Sequence, residues 1–435
     1  MVLQGSRLSR RRFLTRSAAA VGAPYVLTSA ALGGSGRLAA SERIGMGFIG
    51  IGNQGGGHLF GGAWTYIPGG YLARPDVQVV AICDVRQDRR ENGRKRVDEM
   101  YAKSAGRGDY KGCTGYVDFR ELLARPDIDA VLIGTPIHWH AMMSVMAMRA
   151  GKDVYCEKPT ALSVAEAKAV WDTCRRYGRV YQAGTQQRSE YGGKFRLACE
   201  LVRSGRIGKL KSVYSFINGG GFVWRKNFGP SKPPFAHVDW DLWLGPAPYS
   251  PFTGNLDAHM FGFGGINWGQ HHFDIVQWAI DGADHTSPAE FTHEDGKLAM
   301  RYANGVVIYG CPYPGESLGP EGGACYVGDE GRIVLDRRAI VSYPSEIAKQ
   351  PLTAADAHVE YSTSHSGNFL QCVRTRRQPI CNAEVAYRSA SLLLLGGIAD
   401  QLRRPLKYDP AAMRFENDDE ANRMLSIVYR PPWRI

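Results

Sequence analysis

Short apolar runs separated by more polar stretches set the rhythm of the first half of the chain. Ile44–Ile49, Val77–Cys83 and residues 130–134 are almost wholly apolar and rich in β-branched side chains. That is the pattern of strands buried on both faces of a sheet. Between them lie segments with helical spacing and helical stops. Residues 121–125 read as helix ahead of Pro126, and 141–150 as a Met- and Ala-rich helix stopped by Gly151. Val164–Tyr177 follows, capped by Ser163 and ended by Gly178. A further strand at 180–184 closes the series. Strands alternating with helices over 41–186 predict a doubly wound parallel sheet.

The pattern changes after Arg188. A helix over Lys194–Arg203 places Leu197, Leu201 and Val202 on one face. Strand-like pieces then recur at 211–217, 289–293, 298–302, 306–311, 324–327 and 333–335, separated by polar and glycine turns such as 303–305. This suits an antiparallel sheet. Helices are expected at 369–376 and 383–395, and a helix from about Asn267 precedes the later strands. Residues 219–251, rich in Gly, Pro and Trp, read as a long loop near the cleft. The fold class is therefore α/β: a Rossmann-type parallel domain, then an α+β domain over 187–435 with an open, mostly antiparallel sheet.

Composition bounds the partners. At 435 residues, two domains are the natural division. The nine cysteines form no CxxC pair, so scattered buried thiols are expected rather than a disulfide framework or a metal site. Net charge is +11, but residues 1–40 hold six Arg and no acid, leaving 11 − 6 = +5 for the remainder. That balance gives no case for nucleic acid and suits anionic or neutral small substrates. Ser9-Arg10-Arg11-Arg12-Phe13-Leu14 precedes a weakly apolar run at 17–32 that is too short for a stable membrane span. The pattern S-R-R-x-F-L matches a twin-arginine export signal over residues 1–40, with Thr15 where Lys is common. It predicts a periplasmic protein processed between Ala30 and Ser41; a basic disordered arm is the plainer reading.

Chemistry concentrates at strand ends. Gly50-Ile-Gly52-Asn53-Gln54-Gly55 follows the first strand and opens a helix, as a pyrophosphate-binding turn must. Gly50, Gly52, Asn53 and Gln54 are the candidate cofactor contacts there. The glycine-rich stretch 55–70 is expected to delay or interrupt the helix. Asp84, ending the second strand, is placed to accept the adenosine ribose hydroxyls, which favours NAD; Arg86, Arg89 and Arg90 keep NADP open. Thr135 and Pro136 sit past the next strand, with His138 and His140 as further candidate cofactor contacts or as structural histidines. Residues 153–159 form a strand ending on Glu157-Lys158 and broken by Pro159, which fixes an ammonium at the sheet edge. In the later helix, Asn267 and His271 share a face with Asp274 one turn on, an imidazole beside an acid; His272 reads as core.

With the glycine turn, Asp84, Thr135-Pro136, Glu157-Lys158-Pro159 and His271-x-x-Asp274 in this order, the chain resembles the Gfo/Idh/MocA oxidoreductases throughout its length after the signal. Residues 239–248 and the HSGNF run at 365–369 resemble the exported subgroup. The resemblance implies NAD or NADP as cofactor and a secondary hydroxyl of a sugar or cyclitol as the reacting group. It implies Lys158 and His271 as catalytic residues, Glu157 and Lys158 beside the cofactor, and a homodimer or homotetramer. Arg188 is a candidate hydroxyl or carboxylate clamp. Asn267 stands where the family commonly has an acid, so it can bind a hydroxyl but exchange no proton. Three functions follow: an oxidoreductase with tightly held cofactor, a redox-neutral NAD-dependent glycosidase, and a non-catalytic nucleotide-dependent sugar-binding protein.

Overall fold

The computed structural model describes residues 38–62, 65–104, 112–216, 232–235, 237–254, 266–316, 318–319 and 321–435. The arginine-rich segment expected to be an export signal, through residue 37, and residues 219–231 and 236 of the expected loop lie outside them.

The apolar runs become a parallel sheet of β1 (Ile44–Ile49), β2 (Val77–Cys83), β3 (Thr114–Tyr116), β4 (Ala130–Ile133), β5 (Asp153–Cys156) and β6 (Tyr181–Ala183). Their order is β3-β2-β1-β4-β5-β6, with every neighbouring pair parallel. Alternate residues feed opposite cores. Met46, Phe48, Leu132 and Tyr155 pack with Tyr71 and Tyr101 on one face, whereas Ile49, Val131, Ile133 and Val154 join the larger core on the other. The strand order reverses between β1 and β4, which is where an open α/β sheet leaves a crevice for a ligand.

Local sequence explains most of the helices. Ser163 caps Val164–Tyr177 through a capping box with Glu166, and Gly178 ends it in a left-handed conformation at φ 58. One part of an expectation is corrected. The helix Asn53–Phe60 starts directly after Gly52, so the glycines do not delay it, and Gly61 within the glycine-rich stretch stops it after eight residues. The helix Gln87–Ser104 and strand β3 were not anticipated, because Val97, Tyr101 and Ala102 are the only apolar side chains that this polar helix buries.

The second sheet holds β7 (Leu210–Phe216), β8 (Glu290–Glu294), β9 (Lys297–Arg301), β10 (Val307–Tyr309), β11 (Gly323–Gly328), β12 (Arg332–Leu335), β13 (Ile340–Tyr343), β14 (Leu406–Asp409) and β15 (Arg414–Phe415). Its order is β13-β12-β11-β7-β10-β9-β8-β14-β15. β7 and β10 pair in parallel and the other neighbours are antiparallel. Within residues 219–251 a short helix, Trp240–Leu244, is capped by Asp239 where an unbroken loop was expected. Trp139 Nε1 donates to its Trp243 carbonyl at 3.0 Å. Among the described residues no helix is long and apolar enough to cross a membrane. The cysteines are free thiols, Cys311 half-exposed and the others buried.

Late segments return to complete the parallel domain. The helix His365–Thr375 sends Phe369, Leu370 and Val373 into the core that holds Phe48 and Tyr155. Arg374 Nη1 donates to Asp76 Oδ2 at 2.9 Å, and Arg376 forks onto Asp153, with Nη2 at 3.0 Å from Oδ1. The Asp153 side chain is 4% exposed, so Arg376 neutralises a buried carboxylate. Arg376→Ala is expected to lower stability by about 2 kcal/mol, reduced for the arginine's own exposure. Chemical denaturation checks this; a change within experimental error would show that the tie contributes little.

Candidate active site

The glycine turn is shaped by close backbone approach. Gly50 has φ +78, and a Cβ there would lie 2.8 Å from the Thr135 amide nitrogen. A Cβ on Gly55 would collide with the Gly50 carbonyl, and one on Gly134 would lie 2.8 Å from Gly55 Cα. No side chain caps the amino end of Asn53–Phe60, so its amides are offered to a ligand. Asn53 is exposed and Gln54 half-buried. Asp84 lies at the end of β2, where the Ile51 amide donates to Oδ2 at 3.0 Å and the Arg86 amide to Oδ1 at 2.9 Å. Burial raises the Asp84 pKa against the pull of these amides. Each carboxylate oxygen keeps a further lone pair for a ribose hydroxyl.

Glu157 is the centre of a buried polar cluster. Its Oε1 sits 2.7 Å from His58 Nε2 and accepts from Gln186 Nε2 at 2.9 Å and Gln54 Nε2 at 3.4 Å. Its Oε2 accepts from the Lys158 amide at 3.3 Å. Burial acts to raise this carboxyl, but the His58 hydrogen bond and the charges around it hold it below the usual range. A Cβ on Gly184 would lie 2.7 Å from Oε1, so glycine is needed there. Glu157 thus ties the first helix to the ends of β5 and β6. His58 was missed by the sequence reading, although it lies four residues after Gln54 and so shares its helix face.

Lys158 emerges from that cluster half-buried, at a cis Lys158–Pro159 bond, with Nζ 5.3 Å from the centroid of the Trp268 ring. Burial lowers its pKa to about 8; Glu157 opposes this and Arg337 adds to it. His271 is 3% exposed, its ring 5.9 Å from that of Trp268. Its Nδ1 is buried with no hydrogen-bond partner among the described residues. Burial, then the charges of Lys158 and Arg337, push its pKa well down. His271 is thus a neutral hydrogen-bonding group at pH 7, and a weaker base than the sequence implied.

Several expectations are corrected here. Asp274 does not hold His271; it accepts from Arg188 Nε at 3.0 Å and Nη2 at 2.8 Å, with both side chains buried. Arg188 also lies over Trp278 at 4.8 Å, and its Nε and Nη2 are committed to Asp274. His140 has both ring nitrogens on carbonyls, Nδ1 at 2.6 Å from Pro159 O and Nε2 at 2.7 Å from Thr135 O, leaving neither for a ribose. Burial lowers its pKa although both carbonyls favour the proton. His138 is buried with Nε2 2.8 Å from the Trp243 carbonyl, bracing the Trp240–Leu244 helix. Thr135 and Pro136 remain half-buried at the end of β4. The Asn267 side chain lies outside what the structure describes. Arg337, on the turn after β12, enters the site without any sequence signal.

Residues 44–185 match the oxidoreductase-family NAD-binding Rossmann fold of Gfo/Idh/MocA, and residues 200–435 match that family's C-terminal α/β domain. The chain belongs to the Gfo/Idh/MocA family. Solved structures share the fold of this oxidoreductase. An aldose-aldose oxidoreductase from Caulobacter crescentus complexed with glycerol has TM-score 0.55 at 17% identity, covering 84% of this chain and 99% of that one. A 3-ketoreductase from Actinomadura kijaniata in complex with NADP and TDP-benzene has TM-score 0.51 at 18% identity, covering 83% and 98%. Among curated relatives, an alpha-N-acetylgalactosaminidase from Shewanella oneidensis is 31% identical over 169 residues, 39% of this chain and 34% of that protein. A glycosyl hydrolase family 109 protein from Shewanella baltica is 32% identical over 166 residues, 38% and 33%. The matches thus span about a third of the length of these relatives.

The residues present fit the family's dinucleotide. The glycine cradle would be filled by any Cβ, the helix end is uncapped, and Asp84 keeps acceptor capacity. Asp274→Asn is expected to cost about 3 kcal/mol by removing the carboxylate onto which the buried Arg188 guanidinium forks, while the pH dependence of turnover stays unchanged. Thermal or chemical denaturation with a pH–rate profile checks this. A shifted profile at unchanged stability would return Asp274 to the proton chemistry.

Proposed function

We propose that this family member is an NAD-dependent oxidoreductase acting on a secondary hydroxyl of a sugar or cyclitol, with the cofactor held tightly through turnover. The observation that carries this reading is Lys158: an ammonium with its pKa lowered to about 8, fixed between the glycine turn's partner Glu157 and the Trp268–His271 helix. A lysine so tuned can accept a hydroxyl proton near neutral pH. His271 offers a neutral imidazole whose unpartnered Nδ1 suits a substrate hydroxyl.

In this scheme the Gly50–Gln54 turn would hold the pyrophosphate and Asp84 the adenosine ribose, with Thr135 and Pro136 as further cofactor contacts. Bound NAD supplies a hydride acceptor. Lys158 takes the hydroxyl proton, breaking O–H and forming N–H, and later releases it to solvent. NAD is favoured over NADP because Asp84 would repel a 2′-phosphate, and because Arg86 pairs with Asp88 and Arg90 Nη1 binds the Asp84 carbonyl at 2.8 Å. Arg89, which lies against Gly52, is the arginine that keeps NADP open. The arginine pattern at 9–14 supports export through the twin-arginine route. That route carries folded protein, which suits a cofactor loaded in the cytoplasm. Pairing into a homodimer or homotetramer belongs to the same proposal.

The second reading is a redox-neutral glycosidase, favoured by the curated relatives named for glycoside hydrolysis at 31–32% identity. There, transient oxidation acidifies the neighbouring C–H so that an aglycone can be eliminated. Both readings need Lys158.

Purified protein is expected to carry NAD(H), seen in its absorbance, and to act on sugars without added cofactor. Net oxidation coupled to a second carbonyl substrate supports the first reading, and release of aryl aglycones supports the second. Lys158→Met is expected to reduce turnover by about a thousandfold or more, as loss of a positioned acid–base group does. In the wild type, kcat/KM is expected to rise with pH to a plateau above about 8, because the neutral amine is the active form. Unchanged turnover in Lys158→Met would remove the assignment.

A further inference from the structure

Arg337 comes from the second domain and is held by an unusually complete set of contacts. Asp336, the residue before it, fastens the turn: Oδ1 accepts from the Arg338 amide at 2.7 Å and the Ala339 amide at 2.8 Å, and Oδ2 from the Gly319 amide at 2.9 Å. Lys194 Nζ donates to the Arg337 carbonyl at 3.0 Å. The guanidinium lies 4.9 Å from the Tyr191 ring centroid and 4.8 Å from that of Trp268. It donates to Gln187 Oε1 from Nε at 3.3 Å and Nη2 at 3.2 Å, and Nη1 is 3.3 Å from Glu321. Its side chain is only 8% exposed, against 25% for Glu321, so the counter-charge is the wetter of the two.

Trp268 therefore carries two cations, Arg337 and, at 5.3 Å, Lys158 Nζ. A guanidinium stays charged at any working pH, whereas a desolvated ammonium readily releases its proton. Like charges sharing a partly buried site disfavour the charged form of the group that can respond. Further strain marks the same wall. Tyr66, on the long loop after the first helix, and Tyr191 both adopt positive φ, at 56 and 61. Their rings meet edge-to-face at 5.3 Å and their hydroxyls are hydrogen-bonded. Non-glycine residues held in that conformation need support from their surroundings and cluster at functional sites.

We propose that Arg337 is a positioning residue of this active site: its fixed positive charge, clamped between Tyr191 and Trp268, keeps the Lys158 amine ready to accept a proton. The inference rests on the reading of Lys158 as the proton acceptor, and it adds a second-domain residue to a centre otherwise built on the parallel sheet and the Ile266–Ala279 helix. Among the described residues, the charged and titratable groups facing Lys158 include Glu157 from its own loop, His140 from the helix it opens, His271 and His272 from Ile266–Ala279, and Arg337. Of these, Glu157 opposes proton release; His271 is kept neutral by its surroundings, so Arg337 is the standing positive charge. The arrangement also fits a site that must tolerate negative charge developing on a substrate oxygen.

Competitive acylation of full-length holoprotein with acetic anhydride over a pH series, read at Lys158 by peptide mass spectrometry, measures the amine's titration with no substrate. Arg337→Gln is expected to move the Lys158 midpoint up by about one pH unit, and Arg337→Lys to keep it near the wild-type value. Where a substrate is turned over, the acid limb of kcat/KM is expected to move by the same amount. If Arg337→Gln leaves the midpoint unchanged in folded protein, or if Arg337→Lys shifts it as far as Gln does, the proposal is wrong. Should Arg337→Gln fail to fold, Trp268→Phe with Arg337 intact, expected to retain the low midpoint, and Glu321→Gln, expected to lower it further, decide the matter instead. A shift in labelling with no activity on any sugar would uphold the role of Arg337 while overturning the proposed reaction.

Discussion

A single buried carboxylate, Glu157, holds the site together. It meets His58 and Gln54 from the first helix, Gln186 from the segment after β6, and the amide of Lys158. A carboxylate taken out of water is tolerated only where donors satisfy it, and these donors come from both sides of the point where the strand order reverses. The geometry of the glycine turn and the direction of Lys158 are therefore coupled. Gly184 leaves room for the carboxylate, and Tyr155, whose hydroxyl accepts from Gln186 at 3.0 Å, closes the cluster beneath.

On that base the two domains contribute unlike parts. The parallel sheet provides a cradle whose shape depends on glycines and on Asp84. The second domain provides Trp268, His271 and Arg337, which set the electrostatics around Lys158. Burial is the largest influence on both Lys158 and His271, and it lowers the pKa of each. The result is a lysine that releases its proton more readily than usual and an imidazole held neutral, beside a buried charged carboxylate and a fixed guanidinium. The Arg188–Asp274 pair behind it is buried, with Nε and Nη2 of the guanidinium donating to the two carboxylate oxygens.

The features legible in the sequence were local ones. β1, β2 and the capped helix Val164–Tyr177 follow from runs of adjacent residues, and the glycine turn and Glu157-Lys158-Pro159 announce themselves in a few positions. What could not be read depends on contacts between distant positions. His58 and Glu157 are 99 residues apart, and Arg188 and Asp274 are 86 apart. Spacing placed Asp274 near His271 on one helix, but helical spacing does not say which neighbour a carboxylate faces. His140 looked like a cofactor contact because it lies past a strand end; its two carbonyl partners come from Thr135 and Pro159. Arg337 gave no local signal, since nothing around a turn arginine reveals that it packs against Trp268.

The most direct measurement is a crystal structure of the protein with NAD and a bound sugar or cyclitol. The account predicts the pyrophosphate on the Gly50–Gln54 turn, the adenosine ribose on Asp84, and Lys158 Nζ within about 3 Å of the substrate hydroxyl. A complex in which Lys158 turns away from the substrate, or in which the dinucleotide binds elsewhere, would contradict it.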